Sequence, residues 1–135
     1  MQPFPSNDSA TRCDAFNLAA ALDAYEVVCS QLVRRWQDMD LYAAAGTAIA
    51  AIREHGVSVP SLTVLTLQLA IAHCELESTL WQKLGGEVAP ERLQAILDRH
   101  ARAVQELRWA ARKLLVQEAS AARSAGSSVA SSARA

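Results

Sequence analysis

Apolar side chains recur at every third or fourth position in two long segments of this chain. The first segment contains Leu18, Leu22, Tyr25, Cys29, Leu32, Trp36 and Met39, and the second contains Leu93, Leu97, His100, Val104, Leu107, Ala111 and Leu114. This spacing places all members of a segment on one face of an α-helix. Because a helix with such a face buries it against another helix, the pattern predicts helix packing of the coiled-coil kind.

The composition favours the same fold class. The chain has 135 residues, of which 51% are apolar and 5% aromatic, and it contains five glycines. Much of the apolar fraction is alanine, which loses no side-chain entropy in a helix. A single domain of this length is large enough to bury a hydrophobic core. We therefore predict an all-α fold, an antiparallel bundle of three or four helices with disordered N- and C-terminal tails.

The domain boundaries follow from the composition of the two ends. Residues 1–10 are rich in Pro, Ser and Asn, and residues 121–135 are rich in Ser and Ala. Segments of this composition do not pack into a core. We expect residues 11–120 to form the helical bundle domain, with a disordered tail on either side.

Charge placement predicts a break in the first long helical segment near Asp38 and Asp40. Arg34 and Arg35 suit the negative end of a helix dipole, whereas the two aspartates suit the start of a new helix. No Gly or Pro marks this position, so one continuous helix over residues 12–55 is the alternative.

Capping residues predict the other helix ends. These are Thr11 with Asp14 for the start of the first helix, residues 41–55 followed by Gly56 for the second, Ser61 after Pro60 for the start of the third, Gly85 and Gly86 for its end, and Pro90 to about Ser120 for the fourth.

The third helix carries its own apolar stripe, which consists of Leu62, Leu65, Leu69, Ala72, Leu76, Leu80 and Leu84. The alternation of apolar residues between positions 65 and 71 would suit a strand, but the helical pattern is longer and favours a helix. Because apolar residues cover a wide arc of this helix, we expect it to occupy the central, most buried position.

Loop lengths predict the order of packing. The connections at residues 56–60 and 85–89 are short, so helices two, three and four should be antiparallel neighbours. The first helix has two alternatives. It either folds back to close a four-helix bundle, or it projects as an arm whose exposed stripe would be an interface.

The net charge of −1 conceals an uneven distribution. Residues 1–89 hold five Lys and Arg against ten Asp and Glu, whereas residues 90–135 hold eight against four. Faces of opposite sign attract across a fold; alternatively, a basic last helix around Arg108, Arg112 and Lys113 meets an acidic partner or nucleic acid. We find no helix-turn-helix pattern and no aromatic interleaving for base stacking.

Residues with chemical potential are sparse. His73 and Glu77 lie one turn apart and resemble half of a metal site, but no HxxxH or ExxH pair supplies the other half. We expect the two to pair with each other, and we expect His100 to be a hydrogen-bonded residue in its seam. We assign no catalytic, cofactor-binding or metal-binding residue and expect no enzyme; a metal protein or enzyme centred on His73 is the weakest alternative.

Three cysteines, Cys13, Cys29 and Cys74, show no metal-binding spacing, and their odd number gives no disulfide framework. We expect Cys29 and Cys74 to be buried thiols in a reducing compartment and Cys13 to be the most exposed one. The N-terminus lacks an apolar signal region, and the apolar run over residues 62–72 is too short to span a membrane. These features favour a cytoplasmic location.

The sequence as a whole favours a non-enzymatic protein–protein interaction module, such as an adaptor, an assembly factor or a small chaperone-like protein. Its partner would be another protein, and a homodimer formed through the first helix is left open. A nucleic-acid-associated or transcriptional regulator is the alternative. The candidate partner-binding residues are Leu18, Leu22, Tyr25, Leu32, Trp36, Trp109, Arg108 and Arg112.

Overall fold

A computed structural model describes the backbone of residues 6–134 and the side chains of residues 10–117, 119–121, 123 and 124. The elements are α1 (Ser6–Arg34), α2 (Met39–Val57), a 3₁₀ turn (Pro60–Leu62), α3 (Thr63–Gly85) and α4 (Pro90–Arg134). The predicted all-α fold is confirmed.

The four helices form a closed antiparallel bundle. Helix α1 packs against α2 and α4, and α3 packs against the same two helices. The first helix therefore folds back onto the bundle, and the alternative in which it projects as an arm is wrong. The core has two layers: the first is built around Leu18, Leu22, Tyr25, Ile52, Leu69 and Leu107, and the second around Leu32, Tyr42, Ala45, Leu76, Leu80 and Ile96.

The predicted break between the first two helices is confirmed. Asp38 is the N-cap of α2, and its carboxylate accepts a hydrogen bond from the backbone N–H of Asp40 at 3.0 Å. The guanidinium of Arg35 donates to the same carboxylate at 2.9 Å. The opposite charges that flank the break thus bind each other across the turn, and one unbroken helix is excluded.

Two predicted caps are wrong. Helix α1 begins at Ser6, so Thr11 and Asp14 lie inside it, and Asp14 instead accepts a hydrogen bond from the Ser58 hydroxyl at 3.2 Å. Ser61 lies within the 3₁₀ turn, and the residue before α3 is Leu62, which makes no side-chain cap. Asp14 can bind Ser58 because the α2–α3 connection passes beside α1. Local sequence does not encode this contact.

Gly56 does not end α2, because the helix continues to Val57. Its role is close packing: a Cβ atom at this position would overlap the side chain of Thr66 on α3. Thr66 is fully buried, and its hydroxyl donates to the Leu62 carbonyl at 2.7 Å. Glycine at position 56 therefore lets α2 and α3 approach each other closely.

Helix α3 is not buried on all sides, contrary to the expectation from its wide apolar arc. Leu69, Ala72, Leu76 and Leu80 face the core, whereas Leu84 is partly exposed. In a four-helix bundle each helix has two adjacent neighbours, so one face of α3 remains at the surface.

The first and last helices are longer than predicted. Helix α4 continues past Ser120 to Arg134, although Leu114 is the last residue of the described core clusters. Residues 1–5 and 135 lie outside the described residues, and the division into a domain with two disordered tails stays a prediction. Within the described part of the chain, no helix is long and apolar enough to cross a membrane.

Candidate functional site

The candidate partner-binding residues of the first stripe lie inside the bundle. Leu18, Leu22, Tyr25 and Leu32 are at most 1% exposed. A partner would reach them only if the bundle opened. Trp36 lies in the turn after α1 rather than on a helix, is half-buried, and has the Lys83 ammonium 4.9 Å above its ring.

The candidates on α4 have different environments. Trp109 is 71% exposed, as its position off the main stripe predicts, and Arg112 is also exposed. The Arg108 side chain is only 17% exposed, and its guanidinium donates to Glu26 at 2.7 Å and to Asp23 at 2.9 Å. Arg108 therefore links α4 to α1. This contact is an attraction of the kind predicted between helix faces of opposite charge.

Sequence reasoning did not connect the three polar groups that meet in the core. The Tyr25 hydroxyl of α1 lies 2.8 Å from Nδ1 of His73 on α3 and 2.7 Å from Nε2 of His100 on α4. On its other side, Nε2 of His73 lies 3.1 Å from the Glu77 carboxylate, one turn along α3. We call Glu77, His73, Tyr25 and His100 the polar chain. The expected His73–Glu77 pair and the hydrogen-bonded His100 are both present.

Burial keeps the inner members of the polar chain neutral at pH 7. Desolvation lowers the pKa of His100 to about 4, and the neighbouring His73 lowers it further. Desolvation also lowers the pKa of His73, against the opposing effect of Glu77. Burial raises the pKa of the Tyr25 hydroxyl well above its usual value and that of the nearby Cys29 thiol to about 11.

The partners fix the direction of each hydrogen bond in the polar chain. An ionised carboxylate only accepts, so neutral His73 carries its proton on Nε2 and donates it to Glu77. Nδ1 of His73 is then an acceptor and receives the Tyr25 O–H. The Tyr25 oxygen in turn accepts from Nε2–H of His100, which leaves Nδ1 of His100 unprotonated, with a free lone pair.

A groove of about 590 Å³ lies between α1 and α4 above this end of the polar chain. Its buried lining residues are Cys29, Leu76, His100 and Val104, and its exposed rim includes Glu26, Ser30, Arg34, Gln94, Asp98 and Gln105. We call it the α1–α4 groove. It combines an apolar floor with one polar group, the usual character of a small-molecule site.

A second candidate surface lies on the face of α3 that points away from the core. Val64, Leu67, Ile71, Cys74, Ser78 and Trp81 follow one another at steps of three and four, so they share a helix face. The four largest apolar members are between 43% and 65% exposed. We call this set the outer stripe. A shallow groove of about 620 Å³ runs beside it, next to Arg53 of α2.

The cysteines do not match the prediction fully. Cys13 is exposed and Cys29 is buried, as expected, but Cys74 is exposed because it belongs to the outer stripe. Among the residues that the structure describes, no group of three or more His, Cys, Asp or Glu side chains is placed to hold a metal ion.

Comparisons with protein families, with curated proteins and with solved structures find no match for this chain. The α1–α4 groove and the outer stripe are therefore the two candidate binding surfaces. The signal for the polar chain was present in the sequence: Tyr25 lies in the first apolar segment, His100 lies in the second, and His73 follows Ala72 of the stripe on the third helix. The outer stripe also shows helical spacing, but its residues count towards the wide apolar arc that predicts a buried third helix.

Proposed function

We propose that this chain is a non-enzymatic protein–protein interaction module that pairs with a second copy of itself through the outer stripe of α3. The observation that carries the proposal is the exposed face itself. It has the spacing of a packing seam, yet no helix in the described part of the chain covers it. Contiguous apolar surface of this kind marks interaction sites.

The order of side chains along the outer stripe suits a two-fold pair of antiparallel α3 helices. Val64 would lie opposite Trp81 of the second copy, Leu67 opposite Ser78, and Ile71 opposite Cys74. Each large residue then meets a smaller one, which is the requirement for interdigitated packing. A parallel pair would instead oppose Trp81 to Trp81 and Ser78 to Ser78.

Charges at the edge of the outer stripe are compatible with this pair. The stripe itself contains no charged residue, and Glu75 beside it contacts Arg99 of its own chain at 3.4 Å. In the antiparallel arrangement Glu75 lies beside Gln68 of the second copy, so a carboxylate faces an amide and not another carboxylate. Opposed like charges would weaken the pair.

The size of the surface sets the expected strength. Helix α3 has 23 residues, which corresponds to a length of about 34 Å and, with a width of about 12 Å, to about 400 Å² per copy. A stable interface of standard size buries about 800 Å² per partner. We therefore expect a weak dimer whose population rises with protein concentration.

Light scattering after size exclusion over a concentration series tests the proposal. We expect the wild-type mass to rise from the monomer value of 14.5 kDa towards twice that value. Ile71→Lys, at the centre of the outer stripe, should remain monomeric. The matched control is Val27→Lys on α1, since Val27 is 59% exposed against 61% for Ile71.

Val27→Lys should self-associate like the wild type. A wild-type chain that stays monomeric at millimolar concentration would overturn the proposal. So would equal loss of association in both lysine variants, because that result would reflect charge and not the outer stripe.

A further inference from the structure

We propose that the α1–α4 groove binds a small, apolar molecule carrying one N–H or O–H donor, and that Nδ1 of His100 accepts this donor. The inference does not depend on the outer stripe. It rests on the tautomer of His100 that its hydrogen-bond partners assign, on the access to Nδ1 from the groove, and on the hydrogen bonds that the charged groups of the groove rim already make.

The polar chain delivers an acceptor to the groove. Nε2 of His100 donates to Tyr25, so the lone pair of Nδ1 has no partner within the chain. Hydrogen bonds in series polarise one another, and donation by Nε2–H makes Nδ1 a better acceptor. His100 is held in one tautomer by partners on two other helices, Tyr25 on α1 and His73 on α3, so its acceptor is pre-organised for a ligand.

Access to Nδ1 is through the groove. His100 lines the α1–α4 groove. Among the described residues, no buried side-chain nitrogen or oxygen lacks a hydrogen-bond partner. The hydrogen bond of His100 is made by Nε2, so Nδ1 is not sealed inside the core, and the groove is the opening that His100 lines.

The charged groups on the rim of the groove differ from His100 in that each already makes a hydrogen bond within the protein. Glu26 accepts from Arg108 at 2.7 Å, Asp98 accepts from Gln94 at 2.9 Å, and Arg34 donates to Ser30 at 3.0 Å. These charged groups already have partners of their own.

The walls of the groove define the rest of the ligand. Val33, Leu76, Leu97 and Val104 offer apolar contacts, and the volume of about 590 Å³ lies within the usual range for small-molecule pockets. Cys29 is present as the neutral thiol, because burial raises its pKa to about 11. The thiol is therefore not a thiolate nucleophile at neutral pH, and the groove offers apolar contacts and one hydrogen-bond acceptor.

Indole is the probe that isolates the hydrogen bond, since it has an apolar bicyclic body and a single N–H donor. Its control is 1-methylindole, which has a similar shape and no donor. We expect titration of ¹⁵N-labelled protein with indole to shift the backbone amides of Leu97, Ala101 and Val104. One neutral hydrogen bond should make indole bind about threefold to tenfold more tightly than 1-methylindole.

His100→Gln tests the role of Nδ1. The glutamine amide N–H takes the place of Nε2–H and still donates to Tyr25. The glutamine carbonyl oxygen is three bonds from Cβ, whereas Nδ1 of His100 is two bonds from Cβ, so the acceptor is displaced from the position of Nδ1. The preference for indole should then fall to about one, with the far-ultraviolet circular dichroism unchanged. His55→Gln, at the third histidine of the chain, should keep the wild-type preference.

A measurement on the wild type tests the inference without any variant. The ¹⁵N shifts of the imidazole nitrogens should show His100 protonated on Nε2 and unprotonated on Nδ1, with Nδ1 moving on addition of indole. A protonated Nδ1 would overturn the inference. Equal affinity for indole and 1-methylindole would also overturn it, as would shifts confined to the outer stripe.

Discussion

The two faces of α3 have the same spacing and opposite environments. On the inner face, Leu69, Leu76 and Leu80 are almost fully buried against the other helices. On the outer face, Val64 and Ile71 are more than 60% exposed. Both faces have the steps of three and four that predict helix packing, yet in the described part of the chain only the inner face packs against other helices.

This difference shows what helical periodicity does and does not determine. The spacing of apolar residues identifies which side chains share a face. Whether a neighbour covers that face depends on how many helices the chain supplies and in what order they pack. The four helices leave the outer face of α3 exposed, and we propose that a second molecule covers it.

The largest expected effect is the loss of stability when an acidic residue replaces an apolar one on the inner face of α3, compared with the outer face. Leu69→Asp places an unpaired carboxylate in the core, where Leu69 is fully buried. We expect a loss of at least about 4 kcal/mol in the free energy of unfolding, enough to unfold a domain of ordinary stability. Ile71→Asp, two residues away on the outer face, should change monomer stability by less than about 0.5 kcal/mol.

Urea denaturation of both variants at low micromolar concentration, where we expect a weak dimer to dissociate, measures this contrast. Comparable destabilisation by the two substitutions would mean that the outer face is covered within the monomer, and the distinction between the faces would be wrong.

Much of the fold could be predicted because it depends on local signals. The stripes on α1 and α4 identified their buried faces, and the charges around Asp38 identified the break, since caps and helix dipoles act within one turn. The Thr11 cap was wrong because α1 begins earlier, at Ser6, and the Asp14 carboxylate inside the helix binds Ser58 from another part of the chain. Gly56 was assigned to a helix end because contact with Thr66 is tertiary.

The candidate site was less predictable than the fold. His73, Glu77 and His100 were singled out, and the pairing of His73 with Glu77 follows from helix geometry alone. Tyr25 was classed with apolar residues because its hydroxyl has no partner near it in sequence. Its partners lie 48 and 75 residues away along the chain. Polar contacts of such separation are fixed by the packing of three helices.

An effect of intermediate size is the dependence of stability on pH that the polar chain produces. Burial lowers the pKa of His100 to about 4, against an ordinary value of 6.5. The unfolded chain therefore binds more protons than the native protein as pH falls below about 6.5. The stability is fully present above that value and is lost as pH falls towards 4, by about 3 kcal/mol over the whole window.

Unfolding free energies from urea titrations between pH 7.5 and pH 5 measure this dependence. His100→Gln should show a shallower decline than the wild type, and the decline that remains belongs to His73, whose pKa burial also lowers. Parallel curves for the two proteins would show that His100 is not a neutral buried group, and the assigned direction of the polar chain would fail with it.

The smallest effect tests how the inner face meets α2. Gly56→Ala forces a methyl group against Thr66, which is fully buried and held by its hydrogen bond to the Leu62 carbonyl. We expect a net loss of about 1–3 kcal/mol from overpacking. Gly46→Ala on the same helix is the matched control, because a Cβ atom there meets no atom within 4 Å. It should raise stability by about 1 kcal/mol through helix propensity.

A double-mutant cycle assigns the Gly56 effect to its cause. Thr66→Ala removes the hydroxyl and methyl groups that the new side chain would meet, so Gly56→Ala should cost less in that background than in the wild type. Additive effects would show that α2 and α3 do not touch at this point. Thermal unfolding of the four proteins is sufficient, since the expected coupling is large compared with the error of such measurements. A smaller cost of Gly56→Ala in the Thr66→Ala background would show that α3 is held on its inner side by contact with α2. The outer stripe, on the other side of the helix, then remains at the surface, where it could bind a second molecule.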